Sequence, residues 1–152
     1  MKIAIGADHG GYRLKNKLIE FLESSGHEVA DLGTHNPEPC DYPPVGSKIA
    51  ESVSSGQFSR GILICKTGIG FSIVANKFPG IRAALCFTRQ QARLSRQHND
   101  ANVLSLAANY LSFRRACEIV EVWLKTDFSG GRHARRIRQI GNIERKICLN
   151  KK

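Results

Sequence analysis

One thiol is distinguished by its position in the sequence. Cys65 follows the short apolar run 61–64, which predicts a buried strand, and a helix is predicted to begin at about residue 70. The glycine-rich turn from Thr67 to Gly70 lies between the two elements. Backbone N–H donors and the positive end of the helix dipole gather at such a turn, so it would stabilise a thiolate, a phosphate or a developing oxyanion. Cys65 could therefore act as a nucleophile or as a base.

The spacing around Cys65 excludes two common kinds of site. A phosphatase with a cysteine nucleophile has an arginine six residues after the cysteine, and Phe71 occupies that position here. A dinucleotide-binding turn has the pattern Gly-x-Gly-x-x-Gly, and Ile73 stands where the third glycine would be. The turn is therefore neither a cysteine-phosphatase loop nor a dinucleotide-binding turn.

A second polar turn follows the first predicted strand. Within Gly6-Ala7-Asp8-His9-Gly10-Gly11, Asp8 could either cap a turn or hold a substrate hydroxyl. His9 could contact an anion together with the start of the next helix.

Two further segments, both in the second half of the chain, carry polar side chains. Residues 95–102 include His98 and Asn99 and predict a polar loop suited to sugar hydroxyls or a ring oxygen. Arg132 and Arg136 are four residues apart, so they share one face of a predicted helix and match a phosphate dianion.

Strand and helix patterns alternate along the whole chain. The predicted strands are 2–6, 27–31, 61–65, 82–86 and 102–106, and the predicted helices are 12–22, 45–54, 70–77, 88–97, 112–125 and 132–147. This alternation predicts an α/β fold, a doubly wound three-layer sandwich with a five-stranded parallel sheet, Rossmann-like in its layers. Ligands of such folds lie beyond the carboxyl ends of the strands, the edge where Asp8 and Cys65 are both expected.

The chain of 152 residues predicts a single domain over 1–152, with 147–152 as a polar tail. The last predicted helix has no strand after it, and its isoleucines predict docking on a partner subunit. Five cysteines without a Cys-x-x-Cys pair argue against a disulfide framework and against a metal site. We find neither a signal peptide nor a run long enough to cross a bilayer, so we expect a cytoplasmic protein without a membrane partner.

A formal net charge of +10 suggests an anionic ligand. The two classes that fit are an anionic small molecule and a nucleic acid. Aromatic residues are sparse among the basic ones, so we expect no nucleic-acid partner.

Six segments together resemble one family, the B-type ribose-5-phosphate isomerases, which are grouped with the galactose-6-phosphate isomerase subunits. The segments are Gly6-x-Asp8-His9-x-Gly11, Asp41-Tyr42-Pro43, 62–84, Ser95-Arg-Gln-His-Asn-Asp100, Asn102-Val103-Leu104 and Gly130-Gly-Arg-His. They occur in the right order on a chain of the right length, and the resemblance extends from residue 2 to about 146.

The resemblance implies a cofactor-independent isomerase that interconverts ribose 5-phosphate and ribulose 5-phosphate through an enediolate. It further implies a homodimer with composite active sites, which could pair into a dimer of dimers. Cys65 would be the proton-shuttling base, Thr67 would orient its thiol, and His98 would open the sugar ring with Asp8 as a partner. The substrate-binding residues would be Asp8, His9, Tyr42, Lys66, Gly68, Ile69, Gly70, Asn99, Asn109, Arg132 and Arg136.

Two residues depart from the family pattern. Lys66 stands where the family usually has glycine, and Asn109 stands where relatives often have an arginine that contacts substrate. The exact sugar therefore stays open at this point. The alternatives are a hexose-6-phosphate isomerase acting on allose or galactose phosphate and a non-catalytic sugar-phosphate-binding module.

Overall fold

The computed structural model describes residues 1–149 and is built on a five-stranded sheet. The strands are Lys2–Ala7 (β1), Glu28–Asp31 (β2), Arg60–Cys65 (β3), Ala83–Leu85 (β4) and Val103–Ala107 (β5). Their spatial order is β2-β1-β3-β5-β4, and every neighbouring pair is parallel. The predicted parallel sheet is confirmed.

Helices cover both faces of this sheet. The helices are Tyr12–Ser24 (α1), Tyr42–Ser54 (α2), Ile69–Ala75 (α3), Arg89–Asn99 (α4), Phe113–Lys125 (α5) and Arg132–Leu149 (α6), of which α6 packs against α4. One apolar cluster joins the sheet to α1, α4 and α5, and a second joins it to α2 and α3. The fold is therefore the predicted three-layer α/β sandwich.

The central strands are apolar on both sides because both faces are covered. Ile62, Leu63 and Ile64 follow one another in β3, and none of their surface is exposed. Successive side chains of a strand point to opposite faces, so Ile62 and Ile64 join one cluster and Leu63 joins the other. This explains why the pattern of the strand is continuous rather than alternating.

Several boundaries differ from the sequence prediction for local reasons. α2 begins at Tyr42, where a turn was predicted, because Pro43 and Pro44 fit a first helical turn whose N–H groups have no intrahelical partner. The polar segment after Ser95 is the last turn of α4 rather than a loop, and Asp100 ends the helix with a left-handed φ of 46°. α6 continues through residue 149, so 147–149 are not a tail, and the rest of the predicted tail lies outside the described residues.

The strand order places the two polar turns side by side. β1 and β3 are neighbours, with Ala7 opposite Ile64, so the residues that follow them meet at the edge where the strands end. We call this the carboxyl edge and the opposite one the amino edge. The order reverses between β1 and β3, which is where ligands of open α/β sheets bind. Within residues 1–149 no helix combines the length and the apolar character that a bilayer crossing requires.

Candidate active site

The Cys65 turn, residues 65–70, directs a backbone N–H group at the thiol. Cys65 ends β3 and is buried, and the Gly68 N–H lies 3.0 Å from its Sγ. Gly68 has a φ of 73°, and a Cβ there would lie 3.2 Å from the Leu106 carbonyl carbon. The Ser105 hydroxyl donates to the Gly68 carbonyl at 2.6 Å and holds the turn. An N–H donor beside sulfur is complementary to a thiolate or to an oxyanion formed next to it.

Thr67 lies at the start of α3. Its Oγ1 accepts a hydrogen bond from the Ile69 N–H at 3.3 Å, which leaves its own hydroxyl hydrogen as a donor. The hydroxyl can therefore orient a thiolate or a substrate oxygen.

Asp8 is held beside β3 by the turn that begins α1. Its Oδ1 accepts from the Gly11 N–H at 3.0 Å, and its own N–H donates to the Ile64 carbonyl at 3.3 Å. A Cβ on Gly11 would lie 2.6 Å from the Ile64 carbonyl carbon, so only glycine allows α1 to start this close to β3. The carboxylate is buried and lies next to the strand that carries Cys65.

His9 is oriented by the loop before α2. Its Nδ1 accepts from the Cys40 N–H at 3.3 Å, so the neutral ring carries its hydrogen on Nε2. That Nε2–H is a donor for an anion.

Tyr42 covers the Cys65 turn from α2. A Cβ on Gly70 would lie 2.8 Å from the Tyr42 ring, so the ring rests directly on the glycine. Tyr42 also packs edge to face against Phe71, with 5.8 Å between ring centroids. Ile69 projects from the same turn and is 53% exposed.

Lys66 and Asn109, the two predicted departures from the family pattern, are neighbours in space. The Asn109 N–H donates to the Lys66 carbonyl at 3.1 Å at the carboxyl edge. The Lys66 side chain lies across Gly10, where a Cβ would overlap its Cγ. Lys66 thus connects the Cys65 turn with the turn that carries Asp8 and His9.

A cavity of about 550 Å³ opens beside the Cys65 turn, and its walls are Thr67, Ile69, Phe87, Thr88, Tyr110 and Arg115. Sequence reasoning missed Arg115, whose only signal was membership of the basic carboxyl-terminal half. It lies in the first turn of α5 and brings a cation to the carboxyl edge.

The remaining predicted site residues lie at the amino edge. His98 and Asn99 end α4, and Arg82, which precedes β4, donates from Nε to the Asn99 carbonyl at 3.0 Å. The six residues of β3 separate the two edges by roughly 16 Å at about 3.3 Å per residue. One protomer therefore does not bring His98 to Cys65, nor Asp8 to His98.

The start of α6 joins His98 and Asn99 at the amino edge. The Ser129 N–H donates to the Gln97 carbonyl at 3.0 Å and brings the start of α6 to the end of α4. Arg132 and Arg136 are both exposed on the first turns of this helix. They form with His98 and Asn99 a basic, polar group of the kind that binds an anionic sugar.

Asp100 ties the end of α4 to two arginines. Its Oδ1 lies 2.7 Å from Arg96 Nη1 and its Oδ2 lies 2.9 Å from Arg82 Nη2. Arg96 is buried and also donates to the Ala101 carbonyl at 2.7 Å. These bonds fix the corner that follows His98 and Asn99.

A metal centre is not formed by the part of the chain that the structure describes. Residues 1–149 contain no group of three histidine, cysteine or carboxylate side chains placed to hold an ion.

Comparison with known proteins shows the family of this chain. The pattern that defines the family described as Ribose/Galactose Isomerase matches residues 3–140. The chain belongs to this family. The predicted family resemblance is confirmed.

Individual members are similar along their whole length. Ribose-5-phosphate isomerase B of Escherichia coli (strain K12) is 46% identical over 145 residues, which cover 95% of this chain and 97% of that protein. The solved structure of Clostridium thermocellum ribose-5-phosphate isomerase B has a TM-score of 0.95 and 55% identity, covering 97% of this chain and 99% of that one. The Mycoplasma genitalium enzyme, solved with bound ribulose 5-phosphate, has a TM-score of 0.92 and 39% identity, covering 95% and 96%.

Proposed function

We propose that this isomerase-family protein interconverts ribose 5-phosphate and ribulose 5-phosphate. The observation that carries the proposal is the Cys65 thiol, which meets the Gly68 N–H at 3.0 Å at the point where the strand order reverses. Relatives support the proposal, because two proteins that are 46% and 55% identical to this chain carry the name ribose-5-phosphate isomerase B.

The geometry supports proton transfer through an enediolate. The thiolate form of Cys65 removes the proton from C2 of the open-chain aldose, and the electron pair of that bond moves to the C1 carbonyl oxygen. The backbone N–H groups of the Cys65 turn stabilise the negative charge. The O2 proton then passes to O1, the C2 carbonyl forms, and Cys65 returns the abstracted proton to C1. Losing one such donor typically costs about 10²–10³ in rate. The phosphate stays intact, and its binding positions the reacting carbons.

We propose a homodimer in which each active site is composite. The carboxyl edge of one protomer supplies Cys65, Thr67, Asp8 and His9, and the amino edge of its partner supplies His98, Asn99, Arg132 and Arg136. The separation of the two groups within one protomer supports this arrangement, because a second copy brings them together without any rearrangement of the fold.

The apolar face of α6 supports the same dimer. Ile140, Ile143 and Ile147 repeat at helical spacing and are 48%, 59% and 53% exposed. Exposed isoleucines in one stripe are typical of a surface that another copy covers.

We further propose a single domain over 1–152, a cytoplasmic location, and turnover without cofactor, metal, nucleic acid or membrane. Two dimers could pair into a tetramer through remaining surface.

The role of Cys65 is tested by replacing it with alanine and with serine. We expect Cys65→Ala to abolish conversion of ribose 5-phosphate while binding of the sugar phosphate, measured by calorimetry, is retained. Cys65→Ser keeps the size of the side chain and should lose most of the rate because a hydroxyl is a far weaker acid than a thiol. Turnover by Cys65→Ala close to that of wild type would overturn the proposed chemistry, and undetectable turnover by wild type would favour the non-catalytic binding module.

The composite site is tested by mixing two inactive variants. Cys65→Ala and His98→Asn are unfolded together and refolded, so that mixed dimers form. If each site takes Cys65 from one protomer and His98 from the other, half of the chains enter mixed dimers with one intact site of two, and about a quarter of wild-type activity returns. If both residues served the same protomer's site, no mixed dimer would hold an intact pair and activity would stay at the level of the single variants.

A hexose 6-phosphate is the alternative substrate. The family description also names galactose, and the cavity of about 550 Å³ beside Thr67 leaves room for a longer sugar. Comparing kcat/KM for ribose 5-phosphate and allose 6-phosphate separates the two, and a clear preference for the hexose would overturn our choice.

A further inference from the structure

His133 has no role in the chemistry described so far, although it touches a residue that does. The His98 and His133 rings are stacked with 4.2 Å between centroids and 6° between planes. We propose that His133 is a positioning residue that fixes the imidazole of His98 for opening the sugar ring. This inference rests on the proposed function of His98.

The surroundings of His133 make it a firm support for a stacked ring. It is only 8% exposed, and it lies in the first turn of α6, which follows the hydrogen bond from Ser129 to the Gln97 carbonyl. On the other side, Asp100 and Arg96 fix the end of α4. Hydrogen bonds therefore hold the end of α4 and the start of α6 in place, and the two rings stack between these helix ends. Rotation of the His98 side chain about its Cα–Cβ bond would break the stack.

Burial and nearby positive charge both disfavour a proton on His133. Burial lowers the pKa of His133, and the positive charges of His98 on α4 and of Arg132 and Arg136 on α6 lower it further. A positive charge on His133 is therefore disfavoured beside the ring that would act as the acid.

Ring opening is chemically separate from the proton transfer at Cys65. Ribose 5-phosphate closes its ring through O4, so opening breaks the C1–O4 bond, gives O4 a proton from His98 and releases the O1 proton to water. Ribulose 5-phosphate cannot close a five-membered ring, because the oxygen it would need carries the phosphate. A defect in positioning His98 should therefore slow the use of ribose 5-phosphate and spare proton exchange at C1 of ribulose 5-phosphate.

The test compares these two reactions in His133→Ala and His133→Asn, both of which remove the aromatic face. We expect kcat on ribose 5-phosphate to fall about 10- to 100-fold, the scale of a misplaced catalytic group, while wash-in of solvent deuterium at C1 of ribulose 5-phosphate stays within about threefold of wild type. The exchange is followed by NMR, and near-ultraviolet circular dichroism checks that each variant is folded.

His133→Phe keeps a flat buried ring and is the rescue variant. It should recover most of the rate lost in His133→Ala, because the stack rather than a proton on His133 is what matters. His27→Ala, a histidine variant elsewhere at the amino edge, should behave like wild type. An unchanged kcat in His133→Ala, a parallel loss of deuterium exchange, or a His133→Phe variant as slow as His133→Ala would each overturn the inference. Failure of the proposed function looks different, since wild type would then show neither turnover of ribose 5-phosphate nor deuterium exchange at C1 of ribulose 5-phosphate.

Discussion

Lys66 adds a positive charge between two turns of the candidate site. Its stem crosses Gly10, so its ammonium group belongs to both the Cys65 turn and the turn of Asp8 and His9. Its carbonyl accepts a hydrogen bond from the Asn109 N–H. Lys66 thus adds a positive charge at the carboxyl edge, just after β3.

We expect Lys66→Met to raise KM for ribose 5-phosphate several-fold and to change kcat less, because a cation near the phosphate ligands mainly contributes binding shared by ground state and transition state. Lys66→Arg keeps the charge and should stay near wild type. The measurement is steady-state kinetics at low and at high salt, with the difference between the two variants shrinking at high salt. An unchanged KM in Lys66→Met would exclude a binding role.

At the scale of elements, the candidate site depends on how closely α1 approaches β3. Gly11 begins this helix, and its missing Cβ is what allows contact with the Ile64 carbonyl. The same contact brings Asp8 to the end of β3. The packing of the start of α1 against β3 therefore determines how the turn of Asp8 and His9 lies relative to the Cys65 turn.

Gly11→Ala should lower the free energy of unfolding by about 1–3 kcal/mol, because the added methyl group overlaps backbone atoms that cannot move aside. The matched control is Gly141→Ala, which lies in α6 with only the end of the Arg145 side chain near its Cβ position. That substitution should stabilise the protein by up to about 1 kcal/mol through helix propensity. Urea unfolding measures both, and equal effects of the two substitutions would contradict the steric argument.

At the scale of the whole molecule, two histidines link stability to pH. Burial lowers the pKa of His27 and of His133 below the value of 6.5 that applies to the unfolded chain, and nearby positive charge adds to the effect in both cases. As the pH falls through 6.5, the unfolded chain takes up protons that the folded chain does not. The free energy of unfolding therefore decreases as the pH is lowered, and it levels off below the folded-state pKa values.

The urea midpoint should thus be lower at about pH 5.5 than at about pH 7.5, at one fixed protein concentration. His133→Phe removes one of the two groups and should reduce this difference. A midpoint that rises on acidification, or a His133→Phe variant with a larger difference than wild type, would contradict the assignment.

The sequence alone was sufficient for the layers of the fold and for half of the candidate site. Strand β3 is continuous in apolar residues because the sheet is covered on both faces, and helices alternate with strands, so a parallel sheet follows without knowledge of contacts. Strands that run in parallel end at one edge, which is why Asp8 and Cys65 could be placed together in advance. Boundaries follow less directly from the sequence, since the start of α2 at Tyr42 depends on prolines that also favour turns.

Tertiary structure decided how the site is divided. The segment around His98 leads into β5, so a parallel sheet already places it at the amino edge, but only the structure shows that it ends a helix, because polar residues suit a loop equally well. The distance between His98 and Cys65 depends on the direction of α4 relative to the sheet. The stack of His133 on His98 likewise depends on where α6 begins in space, because contacts between residues 35 positions apart are set by packing rather than by local sequence.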